Sequence, residues 1–373
     1  MPPIRILIVH DSAVFRRALS NLLAPDPEIA VAGSAGNGVQ ALAQIADTKP
    51  DLVTLDIELR GMDGLETLVE IRKRYPKLPV IMFSTLTDRG AIATFDALER
   101  GASDYVAQSV RQTSELSPER MSAELTRKIK SLCAARAPVP YFSLKLPFTK
   151  LPLTTRSPNL PIASAFTPPR TLPRVDVVAI GASTGGPNAL SSLIAQLPSD
   201  FAAPILIVQH MPPLFTRMLA ERLNIPGRIK VREGREGVIL QPGEAWIAPG
   251  DQHMTVSRKG TEFVIGLNHG PPENSCRPAV DVLFRSVAQT YKANVLAIVL
   301  TGMGSDGTRG SAIIREAGGQ VIVQDEASSV VWGMPGSVVA AQLAEHSYPL
   351  DRIGLEALRR VSLRRSFANA ALA

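Results

Sequence analysis

Val175-Asp-Val-Val-Ala-Ile180 running into Gly181-Ala-Ser183-Thr-Gly185-Gly186 is the stretch on which the fold of this chain turns. Residues 175–180 are mostly β-branched or apolar, the composition of a buried strand, and the glycines make a tight turn after it. Pro187 then opens a helix whose Leu190, Leu193, Ile194 and Leu197 share one face. Strand, glycine turn and helix in that order form the unit of a parallel α/β sheet. Two more apolar runs end in chemistry-bearing residues: 205–208 before Gln209-His210-Met211, and 295–300 before Thr301-Gly-Met303-Gly-Ser-Asp306-Gly307. Groups at the carboxyl ends of parallel strands converge on one crevice. A serine, a histidine and an aspartate meeting there are the equipment of nucleophilic acyl transfer.

Gly181-Ala-Ser183-Thr-Gly185 fits the G-x-S-x-G pattern, in which glycines let backbones approach a sharply placed serine. The order Ser183, His210, Asp306 differs from the Ser–Asp–His order of α/β-hydrolases, which points to another topology. A dinucleotide site is the competing reading, but Ser183 stands where its second glycine belongs. The next strand also ends in Gln209-His210 rather than an acid for the ribose. His253 and His269 fall in hairpin or loop segments and are given structural roles. Asp281 is expected to cap or pair locally, and Cys276 has no base near it in sequence, so it is not assigned as a nucleophile. No cofactor or metal is called for at this site.

The front of the chain alternates strands at 4–9, 51–57, 80–83 and 104–107 with helices such as 65–74 and 91–99, and Ser12 is placed to cap the first helix. A last helix begins near Ser117-Pro118, with Met121, Leu125, Ile129 and Leu132 at helical spacing. Asp11, Asp56 and Ser84 end strands, and two carboxylates at a switch point can hold Mg²⁺ while one accepts a phosphoryl group. Asp56-Ile-Glu58-Leu-Arg-Gly-Met62-Asp63-Gly64 resembles the phosphorylation loop of response-regulator receiver domains, and residues 4–125 are similar to that family throughout. The resemblance implies Asp56 as phosphoacceptor, Asp11, Asp56 and the Glu58 carbonyl as Mg²⁺ ligands, and Ser84 as the switch hydroxyl. His10 departs from the pattern by replacing an acid, and Gln108-Ser109 stand where receivers carry a lysine. Slow phosphorylation of Asp56 is the expected consequence.

The second half carries Gly181–Pro187, Gln209–Pro213, Ile247-Ala-Pro-Gly-Asp251, Gly270-Pro-Pro272, Arg277–Phe284, Leu300–Gly307 and Gly333-Met-Pro335. In that order these resemble the protein-glutamate methylesterases of bacterial chemotaxis. The resemblance implies hydrolysis of γ-glutamyl methyl esters on cytoplasmic helices of methyl-accepting chemoreceptors, and deamidation of glutamines there. By motif, Ser183 is nucleophile, His210 base and Asp306 its orienter, the Met303 N–H is an oxyanion donor, and Thr184 helps hold the histidine. The family further implies a chemotaxis histidine kinase as phosphodonor and a receiver that folds over the esterase crevice. A receiver-bearing interaction or scaffold protein is the rival reading, separable by a serine-reactive probe on Ser183.

Charge and proline delimit the parts of the 373-residue chain. Residues 125–174 hold nine Lys/Arg and no Asp/Glu, whereas the segments on either side are near neutral or acidic. Residues 137–173 include nine prolines, which deny helix and sheet alike. The basic excess therefore belongs to a linker, not to a folded nucleic-acid face. The expected plan is a doubly wound, flavodoxin-like receiver domain at 1–125, a helix end and Pro-rich basic linker at 126–172, and a doubly wound, mostly parallel α/β methylesterase domain at 173–365. Two cysteines are too few for a disulfide framework, and no apolar run approaches the length of a membrane span. A cytoplasmic protein, not membrane-embedded, is expected.

Overall fold

The computed structural model describes residues 2–108, 118–134 and 174–362; the expected Pro-rich linker and Ser109 lie outside these. The front sheet is built from β1 (Ile4–Val9), β2 (Ile29–Ala35), β3 (Leu52–Asp56), β4 (Val80–Thr85) and β5 (Asp104–Gln108). Between and after them come α1 (Ala13–Leu23), α2 (Gly38–Thr48), α3 (Gly64–Arg74), α4 (Asp88–Glu99) and α5 (Pro118–Ala134). The strand order is β2-β1-β3-β4-β5, all parallel, so the chain reverses direction between β1 and β3. Asp11 and Asp56 follow from that reversal, since a doubly wound sheet opens its crevice there. Ser12 caps α1 by accepting from Phe15 N–H at 3.3 Å, as its sequence position predicts.

The back sheet contains β6 (Val177–Ala182), β7 (Ile205–Gln209), β8 (Lys230–Glu233), β9 (Glu244–Ile247), β12 (Val295–Val299), β13 (Gln320–Gln324) and β14 (His346–Tyr348). A separate antiparallel hairpin joins β10 (His253–Lys259) to β11 (Glu262–Asn268). The helices are α6 (Gly186–Ile194), α7 (Pro213–Leu223), α8 (Val280–Tyr291), α9 (Thr308–Glu316), α10 (Gly333–Ala340) and α11 (Leu350–Ser362). Strand order β14-β13-β12-β6-β7-β9-β8 is parallel throughout, which confirms the doubly wound reading of both halves. Every residue of β6, β7, β12 and β13 is buried, because helices cover both faces. The edge strands β8 and β14 are polar and partly exposed, which blunts edge pairing.

Several boundaries differ from the sequence reading: β3 runs Leu52–Asp56 rather than 51–57, and α4 begins at Asp88 rather than at 91. The strand expected at 175–180 runs Val177–Ala182, because Asp176 pairs with Asn294 at 2.9 Å just before the sheet begins. α10 begins at Gly333, where Pro335 fits a first turn, and Gln342, at φ 58°, lies beyond its end. Among the described residues no helix is long and apolar enough to cross a membrane.

The two sheets are joined through helices and one strand tip. Tyr105 of β5 stacks on Phe215 of α7 with centroids 4.8 Å apart, and Asn188 of α6 donates to the Leu98 carbonyl at 2.8 Å. Arg217 reaches Asp88 at 3.1 Å and Arg222 reaches Asp96 at 3.3 Å, so a charged rim surrounds an aromatic centre. Phe215 is fully buried; burying a side chain of that size is worth about 1.5–3 kcal/mol, against about 0–1 kcal/mol for each exposed pair.

Candidate active site

Three strand tips at the second reversal, between β6 and β12, are stitched together by backbone bonds. Gly181 lies opposite Val208 on one side and Val299 on the other, so Ser183, His210 and the 301–307 loop emerge side by side. The Ser183 N–H donates to Thr301 O at 3.1 Å, and the His210 N–H donates to Ala182 O at 3.2 Å. Gln209, 2% exposed, donates through Nε2 to the Ser183 carbonyl at 2.9 Å. The glycines after Ser183 are required by this crowding. Gly185 sits at φ 77°, and a Cβ on Gly186 would lie 1.9 Å from Gln209 Oε1.

His210 and Asp306 meet directly, Nε2 to Oδ2 at 2.8 Å. Asp306 is 2% exposed and has five partners in all: its Oδ2 also accepts from Val280 N–H at 2.7 Å. Its Oδ1 accepts from Asp281 N–H (2.9 Å), Asn274 Nδ2 (2.9 Å) and Gly307 N–H (3.0 Å). Val280 and Asp281 open α8, so the positive end of that helix faces the carboxylate. Burial alone would raise the Asp306 pKa. The bond to His210 and the amide donors outweigh it, and the carboxyl is held below its ordinary value. For His210 burial acts to lower the pKa, but the sulfur of Cys276 and the carboxylate of Asp306 push it well above the usual imidazole range.

Of the residues expected at this site, Ser183, His210, Asp306 and Met303 share the crevice. Ser183 is half-buried, and its hydroxyl makes no hydrogen bond to the ring. The ring's other nitrogen, Nδ1, faces Cys276 Sγ at 3.5 Å. No base lies near the thiol in sequence, as expected; the fold supplies one from 66 positions away along the chain. Among the described residues the Met303 N–H has no protein acceptor, as an oxyanion donor requires. Thr184 departs from its expected role: its hydroxyl donates to Asp104 Oδ2 of the front sheet at 2.7 Å, not to the histidine. The hydroxyl is 80 positions from that carboxylate, and docking of β5 over the strand tip supplies the stronger acceptor. Asp281 is fully buried and caps α9 by accepting from Gly310 N–H at 2.7 Å, in line with its capping assignment but over a long range. His253 begins the β10–β11 hairpin and accepts from Ala279 N–H at 3.2 Å, a structural role as expected.

The front crevice places Asp56, 8% exposed, beside Asp11 and His10. One ligand atom from each of these three lies within 4.8 Å of the others. His10 Nδ1 lies 3.1 Å from the Ser12 nitrogen and 3.2 Å from Asp11 Oδ1, and Nε2 lies 3.5 Å from Asp56 Oδ2, so whichever nitrogen carries the ring proton has a carboxylate beside it. The ring stacks on Phe15, and burial lowers its pKa despite Asp11. His10 is thus a hydrogen-bond donor where the receiver pattern has an oxygen ligand. Asp11 and Asp56 suit Mg²⁺, and His10 does not. Burial, then the charge of Asp11, raises the Asp56 pKa to about 6, although Glu58 N–H opposes this by donating at 3.3 Å. Ser84 is buried and turned away from Asp56: it donates to Gly90 O at 3.0 Å and accepts from Thr94 Oγ1 at 2.5 Å. Its expected role at a phosphoryl oxygen therefore needs a rotamer change. Arg89, which sequence reasoning passed over, lines the cleft of about 490 Å³ beside Asp56 and Glu58.

Comparison with known proteins adds independent findings. A family model described as CheB methylesterase matches residues 178–357, and one described as response regulator receiver domain matches residues 6–116. A protein-glutamate methylesterase/protein-glutamine glutaminase of Trichodesmium erythraeum is 48% identical over 362 residues, covering 97% of this chain and 100% of that protein. A protein of the same description from Nocardioides sp. is 48% identical over 366 residues, covering 98% and 97%. The crystal structure of the Thermotoga maritima CheB methylesterase catalytic domain is 40% identical, with a TM-score of 0.49 over 50% of this chain and 98% of that one.

Proposed function

This chain belongs to the protein-glutamate methylesterase/protein-glutamine glutaminase family, and from that premise we propose that it hydrolyses γ-methyl esters of glutamates on the cytoplasmic helices of chemoreceptors and deamidates glutamines there. The observation that carries the reading is the buried His210–Asp306 pair, at 2.8 Å, on the strand tip next to Ser183. Asp306 holds the imidazole through Nε2, which leaves Nδ1 for the proton of Ser183 Oγ. Ser183 attacks the ester carbonyl while His210 takes that proton. The Met303 N–H stabilises the tetrahedral oxyanion, and methanol leaves with the proton His210 returns. Water then repeats the sequence on the acyl-enzyme and frees the glutamate carboxylate. For a glutamine side chain ammonia departs in place of methanol. No cofactor enters these steps.

Residues 1–125 act as the receiver, 126–172 as linker and 173–365 as the catalytic part. The Tyr105–Phe215 stack and the Asp104–Thr184 bond support a resting state in which the receiver holds the residue next to the nucleophile. Phosphorylation of Asp56 by a chemotaxis histidine kinase would loosen that hold, with Ser84 turning from Gly90 to the phosphoryl group. Asp11, Asp56 and the Glu58 carbonyl would hold Mg²⁺, which would offset charge on the incoming phosphoryl group. The enzyme works in the cytoplasm, where its receptor helices lie. Methanol release from a methylated receptor fragment tests the reaction. Ser183→Ala should reduce it by about four to six orders of magnitude, and a near-normal rate in that variant would end the proposal.

A further inference from the structure

The crevice contains a nucleophile that the hydrolytic steps do not use. Cys276 lies between β11 and α8, where Glu273 and Cys276 exchange backbone bonds at 3.1 and 2.8 Å around Asn274 and Ser275. Those two residues sit at φ 52° and 62°, so the turn is tight and its backbone conformation uncommon outside glycine. Asn274 fastens it by donating to Asp281 at 3.0 Å and to Asp306 at 2.9 Å. So anchored, the turn aims Cys276 Sγ at His210 Nδ1, 3.5 Å away, while Nε2 of the same ring holds Asp306. A thiol, an imidazole and a buried carboxylate in a row place a base where it can take the thiol's proton as the sulfur reacts. Cys276 is only partly buried, which leaves its sulfur within reach of small solutes. The nitrogen it occupies is the one a proton from Ser183 requires.

We propose that Cys276 is an oxidation site through which a hydroperoxide switches off this hydrolase. The inference rests on the hydrolytic roles of Ser183 and His210. His210 Nδ1 takes the thiol proton, and the thiolate attacks the terminal peroxide oxygen. The S–O bond forms as the O–O bond breaks; sulfur loses two electrons and the peroxide gains them. The departing hydroxide or alkoxide takes the proton from Nδ1 and leaves as water or an alcohol. The sulfenic O–H then donates to Nδ1 and caps the lone pair that Ser183 needs. A low-molecular-weight thiol reverses the change. One molecule displaces the oxygen as water to give a mixed disulfide, and a second releases Cys276 as the thiol.

The test treats the full chain with graded hydrogen peroxide and traps sulfenic acid with dimedone, mapping the adduct by mass spectrometry with Cys133 as the internal reference. In parallel, methanol release is followed without the trap, each protein normalised to its own untreated rate. Cys276 should label at least about tenfold faster than Cys133, and hydrolysis should fall in step with its oxidation and return with dithiothreitol. Ser183→Ala should still label at Cys276, whereas Cys276→Ala should keep its own starting rate through the same exposure. Labelling of Cys276 no faster than Cys133, unchanged hydrolysis after oxidation, or equal inactivation of Cys276→Ala would each overturn the proposal. A parent protein that releases no methanol sinks the hydrolytic reading and the switch with it. Labelling, which needs no turnover, tells that failure apart from a failure of the thiol chemistry.

Discussion

Replacing Asp104 by alanine removes one carboxylate from the contact between the receiver and the strand tip that carries Ser183. Asp104 is 5% exposed and accepts through Oδ2 from Thr184 at 2.7 Å and from Lys128 at 3.2 Å. Lys128 keeps Glu124 at 3.0 Å and the Tyr105 carbonyl at 2.5 Å after the change, so the lysine is not stranded. The loss is then close to that of one buried, charge-assisted hydrogen bond, about 1.5–3 kcal/mol. At about 1.4 kcal/mol per factor of ten, the closed arrangement loses roughly 10- to 150-fold in its equilibrium over the open one. The Tyr105–Phe215 stack and the Arg222 pairs remain, so docking weakens without vanishing. The assay is the initial rate of methanol release for the full chain, the variant, and residues 170–373 alone. The variant should rise by the calculated factor or to the ceiling set by the fragment. Thr184→Val removes the same bond from the other side, and a double-mutant cycle should show the two effects overlapping rather than adding. A folded Asp104→Ala protein at the parent rate, beside a faster fragment, would refute the inference that this bond holds the receiver closed.

Asp306→Asn keeps the shape of the site and removes the charge, so kcat should fall by about 10⁴. The midpoint of the remaining pH–rate curve should move to lower pH. A raised pKa delays the neutral, base-competent imidazole to higher pH, and Asp306 is one of the groups that raise it; an unmoved midpoint would contradict this. Asp56→Asn should stabilise the front domain by about 1–3 kcal/mol at pH 7.5 and by little near pH 4. A carboxyl raised to about 6 leaves folding unpenalised below its unfolded pKa, and stability is lost as pH rises through the folded value. Chemical unfolding at the two pH values checks the sign. His10→Asp exchanges a hydrogen-bond donor for an oxygen ligand beside Asp11 and Asp56, so Mg²⁺-dependent labelling of Asp56 by an acyl phosphate should quicken by about tenfold or more. An unchanged rate would show that His10 is not what slows the receiver.

The amino-acid sequence alone determined the two parallel sheets and the placing of Ser183, His210 and the 301–307 loop on neighbouring strand tips. Unbroken apolar runs such as those of β6, β7 and β12 specify buried parallel strands, and such strands bring their carboxyl ends together whatever the loops do. Tertiary structure alone decided which donor meets which acceptor. Cys276 finds His210 from 66 positions away, Thr184 finds Asp104 from 80, and Asn274 finds Asp306 from 32. Ser84 turns toward Gly90 because α4 offers it a carbonyl, and Arg89 reaches the Asp56 cleft from the same helix. The physical reason lies in range. Backbone preference and hydrophobic period act over a few neighbouring residues and are written locally. A side chain's partner depends on how distant elements pack, and no local pattern in the chain encodes that.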